Sequence, residues 1–347
     1  MAFEQVNTTV LSINDVSTSF RDNSSSFGYF VSDDNPAQIS RVNLNTFAET
    51  ATLTLSIATP NTSFIDNASS FAYIASDGGQ TRISRVNLNT FAETSTITLN
   101  TTLNTAYSSF RDNSSSFGYI VGQRAGGNII TRVNLNTFAE TSTLRLRILS
   151  IPFSSMIDST SSNAYVTSAG DPGRLSQVNL DTFTETSTLV LSIVAPRNAF
   201  IDTNSEFIYV TDDSTTSTML RIRLSNFSES GTVQLSISSP YTSKVDSTSS
   251  FAYLASQDTP SILLKIFLPA FQTSSIPVST LPSDPTFPSA TFPTSVLFPT
   301  PSVTAFETGS ITISANLPLT SLIDGASSFT YFDSNASPEI ISKVQID

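Results

Sequence analysis

The chain has 347 residues and a formal net charge of −12, with 16 Lys and Arg against 28 Asp and Glu, and it contains no Cys, His or Trp. These absences exclude disulfide frameworks, Ser-His-Asp and Cys-His catalytic groups, zinc fingers and imidazole metal sites. The acidic balance disfavours nucleic acid and anionic membranes as partners, because both are bound through Lys and Arg patches. No apolar run reaches the roughly 18 residues that a membrane span needs.

One segment recurs along the whole chain, and residues 64–99, FIDNASSFAYIASDGGQTRISRVNLNTFAETSTITL, give its form. Its Asp recurs at intervals of 44, 46, 46, 44, 44 and 78 residues, and a Tyr follows each Asp by seven residues. The Asp residues are Asp22, Asp66, Asp112, Asp158, Asp202, Asp246 and Asp324, and the tyrosines are Tyr29, Tyr73, Tyr119, Tyr165, Tyr209, Tyr253 and Tyr331. A Phe near the end of the unit is the third landmark, at Phe47, Phe91, Phe138, Phe183 and Phe227. These landmarks predict a repeat architecture.

Each copy predicts four short strands, named A to D in chain order. In residues 63–99, strand A ends at Asp66, and after a polar turn strand B covers 71–75 and is apolar on both faces. A loop with Gly and Asp leads to strand C at 83–88, and a turn at 89–91 leads to strand D, which alternates apolar and polar residues. Four strands in roughly 40–45 residues are typical of a propeller blade.

The two chain ends predict how the ring closes. Residues 343–347 match the strand C at 41–45 and then stop, whereas residues 3–13 match the strand D at 47–57. We therefore expect the N-terminal segment to complete the last blade and to cover an open sheet edge. The prediction is an all-β, seven-bladed β-propeller of four-stranded blades at about 18–57, 62–101, 108–150, 154–194, 198–238, 242–315, and 320–347 plus 1–13.

The repeat resembles that of YVTN/NHL-type β-propellers. The shared features are an apolar-Tyr-apolar strand, a Gly and Asp loop, an apolar strand and an alternating outer strand, as in FAYIASDGGQTRISRVNLNTFAETSTITL. The resemblance covers nearly the whole chain except residues 272–304, and it implies the fold rather than a function, since propellers host many activities. Near-identical blocks such as RVNLNTFAETST and only 12 glycines depart from that type. The chain also looks like the propeller subunits of glycosylated extracellular fibrils.

The long interval between Asp246 and Asp324 predicts an insertion in blade six. Residues 272–304 hold seven of the 17 prolines, which excludes helix and central strand and favours extended chain. Its Phe-Pro pairs are Phe287 with Pro288, Phe292 with Pro293, and Phe298 with Pro299. Two interpretations stay open: a disordered, O-glycosylated loop, or an arm that docks on its own propeller or on a neighbouring subunit, since exposed aromatic side chains favour burial.

The repeated acidic residues have two interpretations. The seven turn Asp residues are predicted to ring the channel, where they could bind calcium or accept backbone N–H groups of their own A–B turns. Their repetition in every blade favours the turn and argues against calcium, so no cofactor is expected. Solvated positions on the outer strand are predicted for Glu49, Glu93, Glu140 and Glu185.

Eight Asn residues stand in the Asn-x-Ser/Thr pattern that accepts N-linked glycans. They are Asn7, Asn23, Asn61, Asn67, Asn100, Asn113, Asn226 and Asn335. Asn23, Asn67 and Asn113 fall in the same A–B turn of three successive blades, so they are the favoured candidates if the chain is secreted. The alternative is that these residues only form the turn.

Three functions remain open. The favoured one is a non-enzymatic structural subunit whose partners are copies of itself, and which assembles through the arm into an extracellular, glycosylated filament. The first residues, MAFEQVNTTVLSI, lack the features of a signal peptide, so this hypothesis requires a mature form. The alternative is a carbohydrate- or protein-binding module that uses the face carrying the D–A and B–C loops. An enzyme is disfavoured, because His and Cys are missing and near-identical blades do not supply unlike carboxylates.

Overall fold

The computed structural model describes residues 4–22, 25–66, 68, 70–77, 79–148, 150–246, 250–256, 262–268, 307–312, 320–323, 329–333 and 340–345. These residues form seven antiparallel sheets of four strands each. No helix in this part of the chain is long and apolar enough to cross a membrane.

The strands follow the chain from the inner to the outer edge of each blade. Blade one consists of β2 (Val16–Arg21), β3 (Phe27–Ser32), β4 (Gln38–Asn43) and β5 (Ala48–Thr54). Blade two consists of β6 (Pro60–Ile65), β7 (Phe71–Ser76), β8 (Arg82–Asn87) and β9 (Ala92–Thr98). Blade three consists of β10 (Thr105–Arg111), β11 (Phe117–Arg124), β12 (Gly127–Asn134) and β13 (Ala139–Arg145). Blade four consists of β14 (Ser154–Ile157), β15 (Asn163–Ser168), β16 (Arg174–Asn179) and β17 (Thr184–Val190). Blade five consists of β18 (Pro196–Ile201), β19 (Phe207–Asp212), β20 (Thr218–Arg223) and β21 (Ser228–Gln234). Blade six consists of β22 (Pro240–Val245), β23 (Phe251–Ser256), β24 (Ile262–Phe267) and β25 (Glu307–Thr312). Blade seven is β26 (Ser321–Ile323), β27 (Phe329–Asp333), β28 (Ile340–Gln345) and β1 (Glu4–Val10).

The seven sheets close into a ring. The innermost strand of each blade contacts the innermost strands of both neighbouring blades, and β2 contacts β26 where the last blade meets the first. In blade seven, β1 pairs with β28, from Glu4 opposite Gln345 to Val10 opposite Ile340. The predicted seven-bladed propeller is therefore confirmed, together with its closure by the N-terminal strand.

The core lies between neighbouring blades. In β7 every residue after Phe71 is buried, as its apolar pattern predicts. Each apolar cluster draws on two adjacent blades, so that Phe20 and Tyr29 of blade one pack with Ala72 and Ile74 of blade two. Because each sheet buries apolar side chains on both faces, closing the ring removes apolar surface that an open array would leave in water.

A cation clamp joins successive blades near the A–B and C–D turns. The Arg41 guanidinium lies 4.9 Å from the ring of Phe27 in its own blade and 4.8 Å from the ring of Phe91 in the next. Arg85 and Arg132 repeat the arrangement, and Lys343 lies 4.0 Å from the ring of Phe329. Cations on aromatic faces are attracted by the ring quadrupole, so Phe91, Phe138 and Phe183 each fasten their blade to the preceding one.

The strand-D glutamates join blades as well, and the prediction that they are solvated is wrong. Glu49 accepts hydrogen bonds from the Ser12 N–H at 3.1 Å and the Ser12 hydroxyl at 2.9 Å, in the connection that leaves the preceding blade. The side chain of Glu185 is only 4% exposed and accepts the Arg147 N–H at 2.8 Å. The N–H groups of these connections lack strand partners and need acceptors, and Glu93, Glu140 and Glu229 provide them in the same way.

Candidate ligand site at the mouth of the channel

The turn Asp residues bind their own turns. Asp158 accepts the N–H groups of Ser162 at 2.9 Å and Asn163 at 3.1 Å through its two oxygens. The equivalent carboxylates of Asp66, Asp112, Asp202 and Asp246 accept backbone N–H groups in the same turn, Asp22 accepts the Ser25 hydroxyl, and Asp324 lies outside the described residues. Although burial opposes it, hydrogen bonds from Ser115 and Ser114 lower the pKa of Asp112. Within the described ranges, no group of three or more acidic side chains could hold a metal ion.

The innermost strands line a narrow bore through the ring, with a cavity volume of about 280 Å³. Its wall is made of Ser and Thr hydroxyls that bond across the blade boundaries. Thr18 bonds to Ser63 at 2.8 Å, and Thr242 bonds to Ser321 at 2.6 Å. The bore is therefore polar, and many of its hydroxyls are already engaged with one another.

The bore opens into a larger cavity, the mouth pocket, on the face that carries the D–A and B–C connections. Its volume is about 520 Å³. One repeat position, five residues before the turn Asp, supplies most of its wall: Ser17, Asn61, Tyr107, Phe153, Arg197 and Tyr241. The seventh equivalent, Leu319, lies outside the described residues. Asp15, Asp33, Ser154 and Asn198 complete the lining.

Blades three to six give the mouth pocket an aromatic side. The Arg197 guanidinium lies between two rings, 4.5 Å from Phe153 and 4.4 Å from Tyr241, and it pairs with the Asp213 carboxylate at 3.3 Å. Tyr107 meets Phe153 edge to face, with 5.8 Å between the ring centres. All four lining residues are half-buried. The arginine is thus fixed by stacking and by an ion pair, and the arc of rings keeps partly accessible faces.

Blades one and two give the mouth pocket a polar side. Asp15 adopts a left-handed backbone conformation with φ 48° in the connection before β2, and its carbonyl accepts the Asp33 N–H at 2.7 Å. Burial raises the pKa of the Asp33 carboxyl, and the charges of Asp77, Asp15 and Asp34 add in the same direction. Carboxylates, a hydroxyl and the Asn61 amide therefore face the aromatic arc across the opening.

Sequence reasoning missed the aromatic side of this pocket. The binding-module hypothesis placed the ligand site on the face carrying the D–A and B–C loops, whereas Tyr107, Phe153 and Tyr241 come from the innermost strands or the residue just before them. The signal was present in the sequence: within near-identical repeats, one position holds five different residue types in the six described blades. The variation shows that the fold does not require one residue type at this position.

The other predicted site residues lie elsewhere. Asn100, Asn113 and Asn226 are exposed, whereas Asn61 is half-buried in the mouth pocket, and Asn7 lies in β1. The remaining glycan candidates, Asn23, Asn67 and Asn335, lie outside the described residues. So does the whole predicted arm at 272–304, with Phe287, Phe292, Phe298, Pro288, Pro293 and Pro299.

Comparisons with known proteins support the fold and do not indicate an activity. No protein-family model and no curated protein matches the chain. Among solved structures 1632 chains match, so the architecture does not discriminate between functions. One is a chain of hydrazine synthase from Kuenenia stuttgartiensis, which has a TM-score of 0.78 and 10% sequence identity over 100% of this chain and 100% of that chain. At this identity the likeness shows the shared fold alone.

Proposed function

We propose that the protein is a non-enzymatic binding module whose ligand site is the mouth pocket. The observation that carries the proposal is the convergence of one variable repeat position, from at least six blades, on a single cavity. Positions that serve only the fold are nearly identical from blade to blade, as the recurring RVNLNTFAETST block illustrates. A variable position on the wall of a cavity of about 520 Å³ fits a ligand site, since such sites span about 300–1,000 Å³.

The chemistry of the mouth pocket favours a saccharide as the ligand. The half-buried rings of Tyr107 and Tyr241 offer faces on which the C–H side of a pyranose can stack. Across the opening, the carboxylates of Asp15 and Asp33 and the amide of Asn61 can accept or donate hydrogen bonds to sugar hydroxyls. The charge of Arg197 is already balanced by Asp213, so the aromatic side does not require a charged ligand.

Calorimetric titration of the full chain with neutral mono- and disaccharides tests this function. The double variant Tyr107→Ala, Tyr241→Ala should weaken binding by about tenfold or more, because it removes both stacking faces. Asn226→Ala is the matched control, since Asn226 is exposed in a C–D turn away from the pocket, and it should bind as wild type does. Equal affinity of the wild type and the double variant would exclude the mouth pocket as the saccharide-binding site. Hydrolysis of a disaccharide would identify an enzyme instead.

The filament hypothesis remains a prediction from the sequence. It depends on the arm at 272–304, which lies outside the described residues. An extracellular location, N-linked glycans and self-association belong to the same hypothesis, and we propose them with it. Exposure of Asn100, Asn113 and Asn226 is compatible with glycosylation. Filament formation and ligand binding do not exclude one another.

A further inference from the structure

Lys244 departs from the repeat at a position that is apolar in every other blade. Two residues before the turn Asp, the other blades carry Phe20, Phe64, Phe110, Met156, Phe200 and Leu322. The four phenylalanines stack on the repeat Tyr of their own blade, with ring centres 4.8–5.1 Å apart. Lys244 stands opposite Tyr253 in the β22–β23 pair. An amine therefore occupies a position where the fold otherwise buries an apolar side chain.

The surroundings of Lys244 disfavour a positive charge. The residue is half-buried, and it lines the bore, whose wall consists mainly of uncharged Ser and Thr side chains. No hydrogen bond or ion pair joins its side-chain amine to another residue of the described ranges. Burial lowers the pKa of the Lys244 amine, because protein replaces the water that would solvate the charged form. The neutral amine is a nucleophile and a poor ligand for anions.

The other two lysines of the chain have partners that favour the charged form. Lys265 Nζ lies 4.3 Å from the ring centre of Phe251, and Lys343 Nζ lies 4.0 Å from that of Phe329. Lys343 also donates a hydrogen bond to the Leu44 carbonyl at 3.5 Å. Contact with an aromatic face stabilises an ammonium group, so these lysines are natural internal controls for Lys244.

A small molecule can reach Lys244 from the mouth pocket. The bore and the mouth pocket share six lining residues, and are therefore continuous: Ser17, Asn61, Tyr107, Phe153, Ser154 and Asn198. The bore has room only for a small compound, with a cavity volume of about 280 Å³.

We propose that Lys244 is a covalent modification site that captures small aldehydes reversibly as an imine. The Nζ lone pair attacks the carbonyl carbon, the C=O π electrons move to oxygen, and a proton passes from nitrogen to that oxygen. The resulting carbinolamine expels water as the C=N bond forms, and addition of water reverses the reaction. No oxidant or reductant takes part, and the capture does not depend on what the mouth pocket binds.

Reductive trapping of the intact full chain tests the proposal. The protein is incubated with acetaldehyde and sodium cyanoborohydride at neutral pH, and labelled lysines are located by peptide mass mapping. Lys244 should be labelled about tenfold or more faster than Lys265 and Lys343, because burial lowers the pKa of its amine, whereas the other two amines lie on aromatic faces that stabilise an ammonium group. Lys265→Arg is the matched control and should leave labelling of Lys244 unchanged.

A pH series separates nucleophilicity from simple accessibility. The ratio of labelling at Lys244 to labelling at Lys343 should fall as pH rises toward the ordinary lysine pKa, because an amine whose pKa is lowered keeps its advantage only while ordinary lysine amines are protonated. In urea the three lysines should react alike. A native protein in which Lys244 is unlabelled, or in which this ratio does not change with pH, would overturn the proposal.

Discussion

The phenylalanines of the C–D turns combine an unfavourable backbone conformation with two favourable contacts. Phe91 has φ 47°, in the left-handed region that bulky residues avoid at a cost of about 1–3 kcal/mol. Its ring lies 6.0 Å from the ring of Tyr29 and 4.8 Å from the Arg41 guanidinium, both in the preceding blade. The contacts between blades therefore offset the strain of the turn, and a residue chosen for the turn alone would be glycine.

Substitutions at Phe91 should reverse the usual order of alanine and glycine. Phe91→Ala loses the ring contacts and keeps the strain, and we expect a loss of about 2 kcal/mol of unfolding free energy. Phe91→Gly loses the same contacts but relieves the strain, so it should be about 1 kcal/mol more stable than the alanine variant. Urea unfolding measures both. Phe27 touches the same arginine from β3, and there the glycine variant should be less stable than the alanine variant by about 0.5–1 kcal/mol. A glycine variant that is also the less stable of the two at Phe91 would refute the argument.

The buried tyrosines predict how the protein responds to alkali. Burial raises the pKa of Tyr29, Tyr73, Tyr119, Tyr165 and Tyr209 from 10.0 to about 12, and the turn Asp of each blade adds in the same direction. Because the folded pKa lies above the unfolded one, this stabilisation is complete below pH 10 and is lost as pH rises through about 12. Phenolate absorbance and circular dichroism should therefore change together between these limits. Phenolate formation near pH 10 in a protein that keeps its native dichroism would contradict the assignment.

At the scale of the strands, alternation predicts what a strand buries but not what its polar residues bind. Strands B and D have the burial that their sequences predict. Glu93 shows the limit, because it bonds to Ser56, which lies 37 residues earlier and in the preceding blade. The mouth pocket shows the same limit, since Tyr107 and Phe153 meet only after blades three and four pack together. The repeat landmarks and the match of the two chain ends to strands C and D were sufficient to predict the ring. The contacts between blades could not be predicted in this way, because they form only when the blades pack together.

The strand-D glutamate should contribute more to the free energy of unfolding than an ordinary outer-strand residue does. Glu93 accepts the Ser56 N–H at 3.0 Å, the Ser56 hydroxyl at 3.0 Å and the Ser84 hydroxyl at 2.6 Å. Glu93→Ala leaves these donors without acceptors and should cost about 2–3 kcal/mol of unfolding free energy, whereas Glu93→Gln keeps one oxygen and should cost about 1 kcal/mol. Thermal and urea unfolding provide the measurement. Thr98→Ala, at an exposed position of β9, should stay within about 0.5 kcal/mol of wild type, and a similar value for Glu93→Ala would restore the solvated interpretation.

At the scale of the molecule, ring closure ties the two ends of the chain into one blade. Leu11 and Ile13 continue from β1 into a buried cluster with Val42 of blade one and Leu322 of blade seven. The N-terminal segment therefore contributes both a strand and part of the boundary between the last blade and the first. A ring closed in this way leaves two distinct faces: the mouth pocket opens on one, and the A–B and C–D turns lie on the other.

The strands that flank the insertion meet it on the face opposite the mouth pocket, so we expect self-assembly and ligand binding to be separable. The chain leaves β24 at Phe267 and returns to β25 at Glu307, which together frame the C–D connection of blade six. If Phe287, Phe292 and Phe298 dock on a neighbouring subunit, each buried ring contributes about 1.5–3 kcal/mol, and the contact joins unlike surfaces, so it forms rings or filaments.

Changing these three phenylalanines to Ser should abolish filaments in electron micrographs, while the melting temperature and saccharide binding stay as in wild type. The matched control changes Ser289, Thr291 and Thr300 to Ala and should keep the filaments, because it leaves the apolar side chains in place. Filaments that persist without the three rings, or a wild-type protein that forms none, would remove the assembly role and leave the binding module.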